Sequence, residues 1–219
     1  MRSFRYESSP EAPRETRFRA YCEGMSEGAL RVVPVDDAHW PDVDTVLGQR
    51  GDSAQCWCQW FKLSRSHYTQ TSAAARKARL REQVASAPAP GVLAYLGDEP
   101  VGWCAVEPRS QYPVLARSPI ARADGGTDDP GRWAVTCFVV RMEFRGRGVA
   151  RALLRGAVEH ARENGARVVD GYPVDPTVRP SLSSAEKYHG TVTLFASAGF
   201  AIIARPSPTR AVMRVEFGG

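Results

Sequence analysis

Lysine is the residue this chain most nearly does without: Lys62, Lys77 and Lys187 are the only three in 219 residues. Arginine therefore supplies nearly all of the 29 basic side chains, which outnumber 24 acidic ones and leave a formal charge of +5. The arginines are scattered, whereas a nucleic-acid binder concentrates its basic groups on one face or in one run. Nucleic acid is thereby disfavoured as a partner, and an anionic cofactor or acidic substrate explains the excess equally well. No apolar run reaches the roughly 20 residues of a membrane span, nor the shorter core of a signal peptide. No membrane partner and a cytoplasmic location are expected. The cysteines, Cys22, Cys56, Cys58, Cys104 and Cys137, are odd in number, which points to reduced thiols rather than a disulfide framework. Cys56-Trp57-Cys58 lacks both the spacing of about two to four residues and the second ligand pair of a structural zinc site. It is read as buried thiols beside Trp57 and Trp60, with no metal. Also missing are the P-loop Gly-x-x-x-x-Gly-Lys-Ser/Thr and the Rossmann Gly-x-Gly-x-x-Gly with its acidic residue about twenty positions on.

What is present fits one α/β domain, or one with an extra arm, at 43% hydrophobic and 24% charged residues. Residues 1–24 are polar, contain Pro10 and Pro13, and show no periodicity, so they are read as a loose arm before a domain over 25–219. The ordered pattern opening at Met25 makes that methionine a candidate start site. Leu30 to Val35 has the content of a first strand, Asp36 or Asp37 caps a helix running to about Leu47, and Gly48 ends it. Gly51 to Tyr68 is aromatic-rich and irregular. Trp57 is expected in the core, while Trp60, Phe61 and Tyr68 are left open between core, pocket wall and the surface of a homodimer. An Ala- and Arg-rich helix follows from about Ser72 to Ala85, stopped by Pro88 and Pro90. Val92–Leu96 and Val101–Val106 flank Gly97-Asp98-Glu99-Pro100 as a hairpin, and residues 108–131 read as a long loop. Trp133 to Val140 is a continuous apolar run, the mark of a central strand covered on both faces. A helix from Ala150 to about Asn164 ends at Gly165. A strand over Val168–Tyr172, a helix over Ser184–Ala198, and strands Ala201–Ala204 and Ala211–Phe217 complete the pattern.

Between the buried strand and the helix after it lies Arg145-Gly146-Arg147-Gly148-Val149-Ala150. Glycines let the backbone approach a bulky anion, and free N–H groups at the positive end of a helix dipole attract it. Arg145, Arg147 and Arg151 add charge at the same spot. A pyrophosphate meets these requirements. Glycine turns before helices are common for conformational reasons alone, so the weight of this one comes from its place between a buried strand and a helix.

The turn resembles the signature Arg/Gln-x-x-Gly-x-Gly/Ala of the GNAT (GCN5-related N-acetyltransferase) superfamily, met here by Arg145, Gly148 and Ala150. The family's preceding Leu-x-Val is matched by Phe138-Val139-Val140. Leu194-Phe195-Ala196-Ser197-Ala198-Gly199-Phe200 resembles its Leu-Tyr-x-x-x-Gly-Phe. The resemblance implies a mixed, mostly antiparallel sheet of about seven strands flanked by about four helices, with strands four and five splayed around CoA. It implies acetyl-CoA as acyl donor and an amine, on a small molecule or a protein, as acceptor. It also implies a cofactor site in which Phe138, Val139 and Val140 act mainly through the main chain, one amide stabilising the oxyanion. Arg145, Gly146, Arg147, Gly148, Val149, Ala150 and Arg151 would hold the pyrophosphate.

Acyl transfer to an amine needs a proton acceptor and a proton donor. The family's usual glutamate base falls at Ala134, and its usual tyrosine acid at Phe195, so neither is present. The candidates in their place are Tyr188, about two turns before Phe195 on what reads as the same helix, Glu107 at the end of the third strand, and Asp170 on the fifth. For the two carboxylates a salt-bridged role competes with catalysis. His189 is a further candidate, and Cys137 is weighed between acylation and a buried, inert thiol. The two missing residues also keep open an alternative, a sensor or interaction module that binds acyl-CoA without catalysis.

Overall fold

The apolar run at 133–140 becomes the middle strand of a seven-stranded sheet. The computed structural model describes residues 29–49, 51–118, 129–178 and 184–218. The arm expected over 1–24 lies outside them, as does Asp124-Gly125-Gly126. The strands are β1 (Leu30–Pro34), β2 (Gly91–Leu96), β3 (Glu99–Pro108), β4 (Arg132–Val140), β5 (Val168–Gly171), β6 (Ala201–Ser207) and β7 (Arg210–Glu216). They lie in the order β1-β2-β3-β4-β5-β7-β6. Every neighbouring pair is antiparallel except β4 with β5. That parallel pairing starts with Arg132 opposite Val168 and ends with Val135 opposite Gly171. Beyond it the strands part, as expected of strands four and five.

Eight α-helical segments lie among the described residues: α1 (Trp40–Leu47), α2 (Asp52–Cys56), α3 (Arg65–Gln70), α4 (Ala73–Val84), α5 (Pro113–Arg117), α6 (Val149–Glu163), α7 (Ser184–Lys187) and α8 (Val192–Ala196). The longest, α6, buries Val149, Leu153, Leu154, Ala157, His160 and Ala161, a stripe along one side of the helix. That stripe covers one face of β1 to β4. Each of its leucines contributes about 1.5–3 kcal/mol by leaving water. The other face of the sheet is covered by α1, Trp57, Leu80 and Val84, which pack on Leu93, Tyr95, Trp103 and Val139. Asp36 accepts from the Ala38 and His39 amides and caps a short 3-10 turn leading into α1.

β4 serves both faces through one irregularity. Its β3 partners run from Val139 opposite Trp103 to Cys137 opposite Ala105, then to Val135 opposite Val106, so Thr136 is an extra residue, a β-bulge. Trp133, Val135 and Phe138 consequently join the core beneath α6, whereas Val139, with Cys137 beside it, belongs to the other core.

Three segments differ from the sequence reading. The stretch 51–68 is not irregular throughout but holds α2 and the start of α3, and the loop read over 108–131 holds a 3-10 turn at Arg109–Gln111 followed by α5. The helix expected over 184–198 is two short helices. Gly190 between them has φ +75, and Thr191 restarts the chain by accepting the Leu194 amide at 3.2 Å. A left-handed residue cannot continue a right-handed helix, so Tyr188 and Phe195 do not share one.

Candidate active site

The turn at 145–150 sits where β4 and β5 have parted. Gly146 and Gly148 have φ of +76 and +80, the left-handed region that glycine adopts at no steric cost. A methyl group placed on either would meet no other atom within 4 Å. The turn thus opens onto space that an anion can fill. Gly148 is the N-cap of α6 and supplies no side-chain cap. The Arg151 N–H turns back to the Gly148 carbonyl at 3.0 Å, and the Val149 and Ala150 N–H groups ahead of it keep their capacity for an outside acceptor. Arg145, Arg147 and Arg151 are exposed around it. Val149 points inward, 3% exposed, which leaves only its backbone for a ligand. The residues present therefore fit a pyrophosphate.

On the face of the sheet opposite α6, a cavity of about 280 Å³ opens against the second half of β4. Thr136, Cys137 and Val139 form its floor, Tyr188 and His189 one side, and residues of α2, α3 and the segment joining them the rest. Arg76 of α4 holds that wall in place. Its Nε donates to the Gln55 carbonyl at 2.7 Å and its Nη1 to the Tyr68 carbonyl at 2.7 Å and to the Thr71 carbonyl. Its guanidinium also stacks 4.3 Å from the Tyr68 ring centre. Of the aromatics singled out in the sequence, Trp57 is core, stacked on Trp40, while Trp60, Phe61 and Tyr68 line the cavity. Asp52, Ser53 and Thr136 also line it. No motif marked them: Asp52 and Ser53 come from a helix hidden in an irregular-looking stretch, and Thr136 from the bulge.

The two side chains best placed for proton transfer are adjacent. His189 Nδ1 lies 3.0 Å from the Thr136 carbonyl, so Nδ1 carries the ring proton and Nε2 is the accepting nitrogen. Burial, reinforced by the Arg210 charge, pulls this imidazole down to about 4, and at pH 7 it is neutral. Burial, with the nearby Asp52 carboxylate, raises the Tyr188 phenol, and the neighbouring Ser53 opposes the rise. The main chain of Tyr188 reaches β4 as well: its carbonyl accepts the Phe138 N–H at 2.6 Å. The Val140 carbonyl is met by Arg145 Nε at 3.1 Å. The chain itself thus engages two backbone groups of the Phe138-Val139-Val140 segment.

Three cysteines also face the cavity. Contact with Cys137 pulls the Cys58 thiol down, and the Trp103 indole N–H, 3.2 Å from Cys58 Sγ, acts in the same direction. The same contact, together with burial, raises Cys137. Of this pair Cys58 holds the more acidic thiol.

The candidate carboxylates stand elsewhere. Asp170 is fully buried between two arginines, with Arg132 Nε at 2.6 Å and Arg214 Nε at 2.8 Å. Glu107 pairs across the strands with Ala134, the position where the family's glutamate was sought. It forms an ion pair with Lys62 at 2.5 Å, both side chains 8% exposed; burial raises its carboxyl and Lys62 opposes the rise. Neither carboxylate is among the described residues lining the cavity. Phe195 is 0% exposed and packs edge-on against Phe138 and Phe200. Among the described residues no cluster of His, Cys, Asp and Glu is arranged to hold a metal, and no helix is long and apolar enough to cross a membrane.

This fold is shared with acetyltransferases of known structure. The GNAT domain of S. lividans PAT aligns over 87% of this chain and 92% of its own at 17% identity and a TM-score of 0.51. The putative acetyltransferase yncA from Salmonella typhimurium, solved with its cofactor acetyl-CoA, aligns over 86% and 94% at 15% identity and a TM-score of 0.50. PaiA N-acetyltransferase from Thermoplasma acidophilum, in complex with coenzyme A, aligns over 86% and 99% at 9% identity and a TM-score of 0.50. No curated relative matches the chain in sequence. The chain belongs to the acetyltransferase (GNAT) family, whose model matches residues 56–190.

Proposed function

We propose that this protein transfers an acetyl or related acyl group from CoA to an amine. The observation that carries the reading is the meeting of two features at one stretch of strand. The arginine- and glycine-rich turn and the aromatic-walled cavity approach β4 from opposite faces, and the strand parts from β5 between them. Arg145 to Arg151 and the first turn of α6 hold the pyrophosphate, and Val139 and Cys137 present the floor of the acceptor side. The thioester supplies an activated acyl carbon. His189 Nε2 takes the proton that the attacking amine must lose, and the low basicity of the ring passes that proton on to water. Tyr188, whose phenol keeps its proton at neutral pH, delivers one to the departing sulfur. Glu107 and Asp170, each buried against arginine or lysine, are assigned to holding the strands rather than to proton transfer. Tyr188 and His189 in the cavity favour transfer over acyl-CoA binding without catalysis.

Calorimetric titration with acetyl-CoA tests the reading. We expect saturable binding by the wild type and a loss of about tenfold or more in Gly148→Val, because a β-branched residue at φ +80 is strained and its side chain enters the anion's space. Absence of binding by the wild type, or equal binding by the variant, overturns it.

A further inference from the structure

The cavity next to β4 has more aromatic and less polar character than a generic amine site needs. Trp60, Phe61 and Tyr68 supply three ring faces, and Cys56, Cys58 and Val139 add apolar wall. Trp60 and Tyr68 meet edge-to-face with centroids 5.0 Å apart, and Trp60 is 48% exposed. An indole left this open beside a cavity is surface awaiting an apolar contact. Asp52 is the one carboxylate among the described residues lining the cavity, and no lysine or arginine joins it there. It lines the cavity together with both Tyr188 and Tyr68 and its charge raises both phenols, so the negative charge lies within reach of the reacting groups and of the aromatic wall alike. The volume, about 280 Å³, falls just under the range of roughly 300–1,000 Å³ for pockets holding drug-sized ligands.

We infer that the acceptor is a small arylalkylamine: a primary amine that is drawn in as its ammonium by Asp52, gives one proton to solvent before its nitrogen attacks, and packs its aromatic body on Trp60, Phe61 and Tyr68. The inference deepens the acyl-transfer reading and rests on it for turnover, but not for binding. Anionic acceptors gain nothing from such a site and are repelled by Asp52. A polyamine or an aminosugar would place polar groups against apolar wall, where each loses water without gaining a partner. A lysine side chain on a peptide would leave the aromatic wall uncovered.

The test has two independent readouts. Quenching of Trp fluorescence by 2-phenylethylamine, with buried Trp57 and Trp103 as internal background, reports binding without chemistry. Thiol release from acetyl-CoA reports transfer to 2-phenylethylamine, tryptamine, spermidine, glucosamine and a lysyl peptide. We expect 2-phenylethylamine and tryptamine to exceed the other three by at least about tenfold in kcat/KM. Trp60→Ala and Asp52→Asn should each raise the arylalkylamine KM by about tenfold, with the acetyl-CoA KM unchanged as evidence of an intact fold. Fastest turnover of spermidine, glucosamine or the peptide overturns the acceptor assignment and leaves acyl transfer standing. Saturable 2-phenylethylamine binding with no turnover of any amine supports the cavity assignment and sinks the transfer reading instead. No binding and no preferential turnover of the aromatic amines overturns the inference outright.

Discussion

Tyr188 and Asp170 entered as equal candidates from the sequence, and their surroundings divide them. Tyr188 is half-buried at a cavity wall with its phenol raised, whereas Asp170 is enclosed by Arg132 and Arg214. Tyr188→Phe is therefore expected to lower kcat by about 100-fold with little change in stability or in acetyl-CoA KM. Asp170→Asn is expected to cost about 3 kcal/mol or more in urea unfolding, since removing one partner leaves buried arginines uncompensated. Kinetics on folded protein, beside denaturation curves, would show the reverse pattern if Asp170 were the proton carrier. The sequence could not separate the two, because the partners of Asp170 lie 38 and 44 positions away along the chain. The pyrophosphate turn was legible because all its parts are consecutive. Asp52 and Thr136 were not, because a bulge and a one-turn helix leave no periodicity.

Among the elements, strands and long helices were readable from their patterns: β4 and α6 fall within one residue of expectation. The break between α7 and α8 was missed because Gly190 stands in an otherwise helical context, and only its contacts reveal the reason for it. Phe195, at the start of the family's Leu-Tyr-like segment, fills the gap that opens as β5 ends. A Cβ on Gly171 would fall 2.0 Å from Phe195 Cε1, and one on Gly190 would fall 2.9 Å from its Cε2. The loss of a hydroxyl at 195 thus accompanies a wholly buried ring. Gly171→Ala is expected to cost about 2 kcal/mol through overpacking, and Phe195→Leu should recover part of it. Additive losses in the double variant, measured by thermal unfolding, would show that the ring and the glycine are not in competition.

At the scale of the whole molecule, the neutral state of His189 ties stability to pH. Its folded value of about 4 lies below the ordinary 6.5, so the unfolded chain takes up the proton first. Stability from this group is complete above about pH 6.5 and falls as pH drops towards 4, by on the order of 3 kcal/mol at most. The raised Glu107 works in the opposite sense, since its folded form holds a proton more readily than the unfolded one as pH falls. Subtracting the stability profile of His189→Gln from that of the wild type isolates the histidine; a difference that stays flat from pH 7 to pH 4.5 would refute the assignment. The two layers of the protein also depend on a phase shift of one residue. Along β4 the odd positions 133 and 135 face the α6 core and so does 138, because Thr136 has reset the alternation. Were Thr136 retained but drawn into the ladder as a paired residue, the strand would be back in step and Cys137 and Val139 would turn towards α6. The cavity floor and the core would then exchange side chains along the whole second half of the strand, with no residue substituted.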